Sequence, residues 1–274
     1  MRDLLDIKRL SGNDIFTIVE SAFHREYHRF PHFTALNVFM EPSTRTRYGF
    51  EIAEMELGIP FSTFTPETSS MVKRESFLDT MGTLSKLNHD IVVVRSNEAG
   101  LEWANMFSEN TVLINAGNGA GEHPTQALLD LATIVRFGGE NVKGKVVTII
   151  GDVSSSRVAH SDIELFRKVG MLVNVIDVKY KFNPNTVRKL YQETDFLIVL
   201  RSQKERHPDE DIFFQFRMRD FEYLKGFLMH PGPFLRGVEV EYDVPEHPKS
   251  LIYEQVKMGL EVRRAAIRWC ISAM

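Results

Sequence analysis

Ala35-Leu36-Asn37-Val38-Phe39-Met40-Glu41-Pro42-Ser43-Thr44-Arg45-Thr46-Arg47 is the stretch on which the reading of this chain turns. Its first half, Ala35 to Met40, is short and mostly apolar, the pattern of a buried strand. Glu41 to Thr44 is a polar turn. A helix is expected from about Arg45 to Leu57, with Phe50, Ala53 and Leu57 as its apolar positions and Gly58 placed to end it. The loop between strand and helix carries chemistry. The first turn of a helix offers backbone N–H groups and the positive end of the dipole. Ser43, Thr44 and Thr46 add hydroxyls, and Arg45 adds a planar fork suited to two oxygens of a phosphate. An ordinary N-cap with solvated arginines would account for any one of these residues. Their concentration at a strand end favours an anion site. It is not a Walker loop, because the glycines and the Gly-Lys-Ser/Thr ending are absent.

The same rhythm extends in both directions. Asp90–Val94 and Thr111–Asn115 are apolar strand candidates, and Gln126–Val135 is helical. The pattern restarts with Lys145–Ile150 as a strand and Arg157–Val169 as a helix. Leu172–Ile176 and Phe196–Leu200 are further strands, and Val256–Ser272 is a closing helix. Strands alternating with helices imply an α/β fold: two doubly wound parallel-sheet domains with a cleft between them. Asn141–Gly144 looks like a joint between two series of units. The expected domains are 1–130 with 256–274, and 131–255. Ligands in such sheets sit beyond the carboxyl ends of the strands, where the polar loops of this chain lie.

Phe39-Met40-Glu41-Pro42-Ser43-Thr44-Arg45-Thr46-Arg47 resembles the carbamoyl phosphate signature of the aspartate and ornithine carbamoyltransferases. The resemblance continues in order along nearly the whole chain. It takes in Ser69-Ser70-Met71-Val72-Lys73-Arg74-Glu75 before Asp79-Thr80, then Arg95 after the Asp90 strand. Asn115-Ala116-Gly117 follows, with His123-Pro124-Thr125-Gln126 and Leu129-Asp130. Gly151-Asp152 leads to Ser156-Arg157, Arg201-Ser202-Gln203 follows a strand, and His230-Pro231-Gly232-Pro233 completes the set.

That resemblance implies a division of labour. Ser43, Thr44, Arg45, Thr46 and Arg95 would hold carbamoyl phosphate, with Gln126 on the carbamoyl nitrogen and His123 on its oxygen. Gly232 and Pro233 would form a cis turn aiming carbonyls at the carbamoyl NH2 and the incoming amine. Arg157, Arg201 and Gln203 would bind the carboxylates of aspartate, and Ser69 and Lys73 would reach in from a neighbouring subunit of a trimer. Arg45, Thr46, His123 and Lys73 are the candidate catalytic residues. Taken singly, Arg95, Arg157 and Arg201 could be surface ion-pair partners, and His123 a structural histidine. Departures from the family pattern are Arg74 where glycine is usual, Asn118 where aspartate is common, and Gly49 where serine is common.

Composition narrows the alternatives. The chain has 274 residues, 43% hydrophobic and 26% charged, as soluble globular proteins do. Its formal net charge of −4 argues against general nucleic-acid binding. The single cysteine, Cys270, cannot form an internal bridge, and neither a signal sequence nor a membrane span is apparent, so a cytoplasmic protein is expected. No cofactor or metal is called for. Two further readings stay open: ornithine as acceptor, and a weakly active relative that assembles with another enzyme of pyrimidine synthesis. The first lacks the Ser-Met-Gly loop and His-Cys-Leu-Pro turn of the ornithine branch. The second should have lost Arg45, Lys73, His123 or Arg201, all of which are present.

Overall fold

The structure, a computed structural model, describes residues 2–24, 28–180, 184–202 and 214–272. The chain divides into two compact units, one of residues 1–128 with 259–274, the other of residues 129–258. The divisions fall inside two helices, and residues 141–144 lie within the second unit.

The first unit is built on a four-stranded parallel sheet in the order β2-β1-β3-β4. The strands are β1 (Ala35–Phe39), β2 (Phe61–Phe64), β3 (Ile91–Ser96) and β4 (Val112–Asn118). β1, β3 and β4 are almost wholly buried, which is why they read as continuous apolar runs and not as alternating ones. β2 is an edge strand with no fully buried residue. Beside β4 the N-terminal segment adds a short parallel bridge, with Leu4 N–H donating to the Leu113 carbonyl and Asn115 N–H to that of Leu4, each at 2.8 Å. Helices α1 (Gly12–Phe23), α2 (Thr44–Glu56) and α3 (Phe77–Leu84) belong to this unit, with the start of α4 (Pro124–Gly138). Ser11 and Asp14 close a reciprocal capping box at α1. Phe50 and Leu57 are fully buried, a burial that contributes about 2 kcal/mol each. Gly58 ends α2 in the left-handed region, at φ 67°. Leu36, Val38, Val92, Val94 and Leu113 pack with Phe77, Met81, Leu84 and Trp103 in one core cluster.

The second unit repeats the plan. β5 (Val146–Gly151), β6 (Leu172–Asp177), β7 (Phe196–Val199) and β8 (Phe227–Met229) form a parallel sheet in the order β6-β5-β7-β8. Helices α5 (Arg157–Lys168) and α6 (Pro184–Glu193) accompany it, and α7 (Ile252–Ile271) begins in this unit. Ile150, Leu197, Val199 and Leu228 pack there with Tyr191, Phe216, Phe221 and Leu224. Among the described residues no helix is long and apolar enough to cross a membrane. The sequence expectation of an α/β fold with parallel sheets holds in both units. α1, β2, α3, α6 and β8 are additions to it.

Candidate functional site

In the first unit the residues singled out from sequence gather at the carboxyl edge of the sheet. β1 ends at Phe39, which pairs in register with Arg95, and Ser96 pairs with Asn118. The loop after β1 leads into α2, whose N-cap is Ser43. Ser43 makes no side-chain capping bond, and the first turn holds no acidic residue. The α-helical ladder begins with Arg47 N–H on the Ser43 carbonyl. The amides of Thr44, Arg45 and Thr46 therefore lie outside the helix's own bonding, at the positive end of its dipole. Thr46 is buried and Arg45 exposed. Arg47 turns elsewhere: its Nε lies 2.8 Å from Glu51 Oε1, a contact that raises its pKa, and Glu51 also accepts from Thr63 Oγ1.

Arg95 is no surface arginine. Its side chain is mostly buried, with Nη2 2.7 Å from Glu41 Oε1 and Nη1 donating to the Ala116 carbonyl at 3.3 Å. Glu41 thus fixes the guanidinium beside the phosphate loop from within that loop. Glu41 stands within the sequence motif, but nothing in its local pattern marks this role.

His123 immediately precedes Pro124, the first residue of α4, and is buried. Its carbonyl accepts from Gln126 N–H at 2.9 Å, and its Nδ1 lies 3.5 Å from Thr125 Oγ1. Gln126 is buried too. The turn that delivers His123 is organised by Asn118. The Asn118 Oδ1 accepts from Glu122 N–H at 2.8 Å and from Asn115 Nδ2 at 3.0 Å, while its Nδ2 donates to the Ala99 carbonyl. An ionised aspartate at this position has no donor for Ala99. The departure to asparagine is therefore used in full.

Ser69 joins two short 3-10 turns, Pro66–Thr68 and Ser70–Lys73, and Lys73 is the last residue of the second. The Ser69 hydroxyl donates to the Pro66 carbonyl at 2.9 Å. Arg74 closes the second turn in the left-handed region, at φ 72° and ψ 26°. That conformation explains why glycine suits the position.

The second unit brings its own set to the corresponding edge of its sheet. Ile150 at the end of β5 pairs with Val199, and Ile198 with Met229. Past β5, Ser154 donates its backbone N–H to Asp177 Oδ2 at 2.9 Å, and Lys179 Nζ lies 3.7 Å from Asp152 Oδ1. This loop ends at Ser156, which caps α5, so Arg157 occupies the first helical position. Arg201 follows β7 and is partly buried, and Gln203 lies outside the described residues. Past β8, the Gly232–Pro233 bond is cis, as expected. His230 Nδ1 accepts from Gly232 N–H at 2.9 Å inside that turn.

Two groups that the sequence did not reveal hold this edge together. Glu239 is buried and accepts from Ser202 N–H at 2.9 Å and from Leu235 N–H at 2.7 Å, tying the Arg201 loop to the chain beyond Pro233. Gln255 on α7 accepts from His230 N–H at 2.7 Å and donates to Asp130 Oδ1 at 2.6 Å. Neither stands in a local motif, so no signal marked them.

Comparison with known proteins accords with this arrangement. Residues 2–136 match the family model described as aspartate/ornithine carbamoyltransferase, carbamoyl-P binding domain. Residues 215–270 match the Asp/Orn binding domain of the same family. The aspartate carbamoyltransferase catalytic subunit of Brucella canis is 36% identical over 97% of this chain and 91% of its own length. The aspartate transcarbamoylase of Trypanosoma cruzi, solved with N-(phosphonacetyl)-L-aspartic acid, superposes with a TM-score of 0.83 at 25% identity, covering 98% of this chain and 95% of that one. Ornithine carbamoyltransferase from Pyrococcus furiosus gives 0.84 at 25% identity, over 100% and 98% of the two chains. On its fold, its ordered motifs and these likenesses together, the chain belongs to the aspartate/ornithine carbamoyltransferase family.

Proposed function

We propose that this protein is an aspartate carbamoyltransferase, moving the carbamoyl group of carbamoyl phosphate to the amine of L-aspartate and releasing phosphate. The observation that carries the reading is the gathering of Ser43–Thr46, Arg95, His123 and Gln126 at one sheet edge of the first unit. A phosphate at the start of α2 meets backbone amides, hydroxyls and Arg45. The deprotonated amine attacks the carbamoyl carbon. Charge then develops on the carbamoyl oxygen, where Arg45, Thr46 and His123 stabilise it. Gln126 orients the carbamoyl NH2. The C–O bond to phosphate breaks, and the departing phosphate takes up the amine proton. Placement of two anionic substrates and electrostatic stabilisation supply the acceleration, and no protein nucleophile is needed.

Aspartate is favoured over ornithine as acceptor by Arg157, Arg201 and Gln203, which suit carboxylates and not a cationic side chain. The fold itself does not choose, since both kinds of enzyme share it. The test is a carbamoyl-transfer assay of the purified protein with both amino acids. Aspartate should be carbamoylated and ornithine ignored, and a higher kcat/KM for ornithine would overturn the assignment.

In the proposed assembly, a cytoplasmic homotrimer acting early in pyrimidine synthesis, Ser69 and Lys73 serve the neighbouring subunit's site. Mixing inactive Lys73→Ala and His123→Ala subunits should then restore activity in hybrid trimers. Hybrids that stay inactive would assign Lys73 to its own subunit.

A further inference from the structure

Beneath α2 the first unit buries a cation that does not belong to the phosphate loop. Arg263, on α7, is 4% exposed. Its Nη1 donates to the Gly259 carbonyl of its own helix at 2.8 Å, and its Cζ stands 5.5 Å from the centre of the Phe50 ring. Its Nε is buried without a hydrogen-bond partner. Among the described residues no carboxylate pairs with it. The adjacent Arg264 offers a contrast, being ion-paired with both Glu56 and Glu261. The fold therefore supplies carboxylates to one arginine and withholds them from the next.

The space for Arg263 comes from Gly49. A Cβ there would lie 2.7 Å from Nη1 and 3.2 Å from Cζ of the guanidinium. Gly49 is four residues after Arg45 and three after Thr46, on the same face of α2. The guanidinium thus packs about one helical turn from the two loop residues that meet the substrate. Burial lowers its pKa to about 10, with the charge of Arg45 acting in the same direction, so it stays charged at neutral pH. A buried cation next to another cation is costly unless an anion arrives.

We propose that Arg263 is a positioning residue for the phosphate group of the substrate, a fixed cation behind the Ser43–Thr46 loop whose counter-charge is the bound phosphate itself. The inference rests on reading that loop as the carbamoyl phosphate site. Arg263 does not touch the substrate. Its field adds to that of the α2 N-terminus, and its like charge pushes the Arg45 guanidinium outward, toward the ligand. Gly49 is then the residue that admits this cation.

The experiment is calorimetric titration with inorganic phosphate, and with a phosphonate–aspartate bisubstrate compound, of wild type, Arg263→Met and Arg263→Lys. The methionine variant should bind phosphate about tenfold more weakly, with a comparable rise in KM for carbamoyl phosphate and a smaller change in kcat. Its thermal midpoint without ligand should equal or exceed that of wild type, because a buried unpaired charge has gone. The lysine variant should recover most of the affinity. Unchanged phosphate affinity in a folded Arg263→Met protein overturns the proposal. So does a loss of ligand-free stability that lysine does not rescue, the mark of a purely structural arginine. If the methionine variant does not fold, Gly49→Ala carries the same readout, since it crowds the guanidinium without removing it. Affinity should fall several-fold, and unchanged affinity overturns the proposal. Wild type that binds neither phosphate nor the bisubstrate compound would refute the carbamoyl phosphate reading itself. Binding by wild type with no effect of the variants would refute only the role of Arg263.

Discussion

Each unit buries an ionisable group without an ordinary counter-charge, and the two resolve the problem differently. In the first unit the group is Arg263, packed against Gly49 and Phe50. In the second it is Asp162 on α5, fully buried near Asp130. Burial first, and then the charge of Asp130, hold the Asp162 carboxyl well above the usual carboxylate range. It escapes by keeping its proton. Glu54, buried in the first unit and bonded to Asn37 Nδ2 at 2.7 Å, does likewise, its pKa pushed up to about 8 by burial. The contrast is thus one of chemistry and not of location. An acid can shed its charge at neutral pH, and a guanidinium cannot. A buried acid makes stability depend on pH. A buried guanidinium makes it depend on an anion from outside.

The largest effect should come from separating the arginine at the substrate from the arginine behind it. Arg45→Ala should lower kcat about a thousandfold, because its contact with the carbamoyl oxygen strengthens as charge develops there. Steady-state kinetics on folded protein decide the point, and near-normal kcat would remove Arg45 from the chemistry. Arg263→Met should cost far less, and mainly in binding.

The acid side of the comparison predicts an intermediate effect. Unfolded, Asp162 releases its proton near 3.8, whereas folded it keeps the proton to much higher pH. Over that window the folded state binds more protons than the unfolded state, so stability falls as pH rises and levels only above the folded-state value. Asp162→Asn cannot ionise and should flatten this slope, gaining stability at neutral pH. Denaturant midpoints at pH 5 and pH 8 test it. The advantage of the variant should widen with pH, and an equal gap at both values would show that Asp162 is not the titrating group.

The smallest effect concerns backbone and not charge. Arg74 occupies the left-handed region. Arg74→Gly should relieve about 1 kcal/mol of that strain, offset in part by the freer unfolded chain. A thermal midpoint raised by a few degrees is expected, and a lowered midpoint would mean that the Arg74 side chain contributes more than the strain costs.

What could be read from sequence follows the range of the interactions concerned. β1, β3, β4, β5 and β7 were legible because buried parallel strands are unbroken apolar runs. The phosphate loop was legible because its donors are contiguous. β2 was not, since Phe61-Ser62-Thr63-Phe64 is short and half-buried at an edge. β8 has three residues, too few to show a period. α1 carried a usable signal in Ser11 and Asp14, but with aspartate in place of the more familiar glutamate of a capping box. Arg263, Glu239, Gln255 and Asp162 escaped because the contact that gives each its role is distant in sequence: Gly49 for Arg263, Ser202 for Glu239, and Asp130 for Gln255 and Asp162. Gln255 and Asp130, for example, are 125 residues apart.

The way the chain is divided also sets an order of events during synthesis. The second unit is one unbroken segment, residues 129–258. The first unit is discontinuous, and the Arg264–Glu56 ion pair within it joins residues 208 apart. Contacts that close so long a loop form late, and segments made earlier must wait for them. While they wait, the face of α2 that packs against Arg263 of α7 has no cover. The first unit thus has to hold a place open for the last segment of the chain.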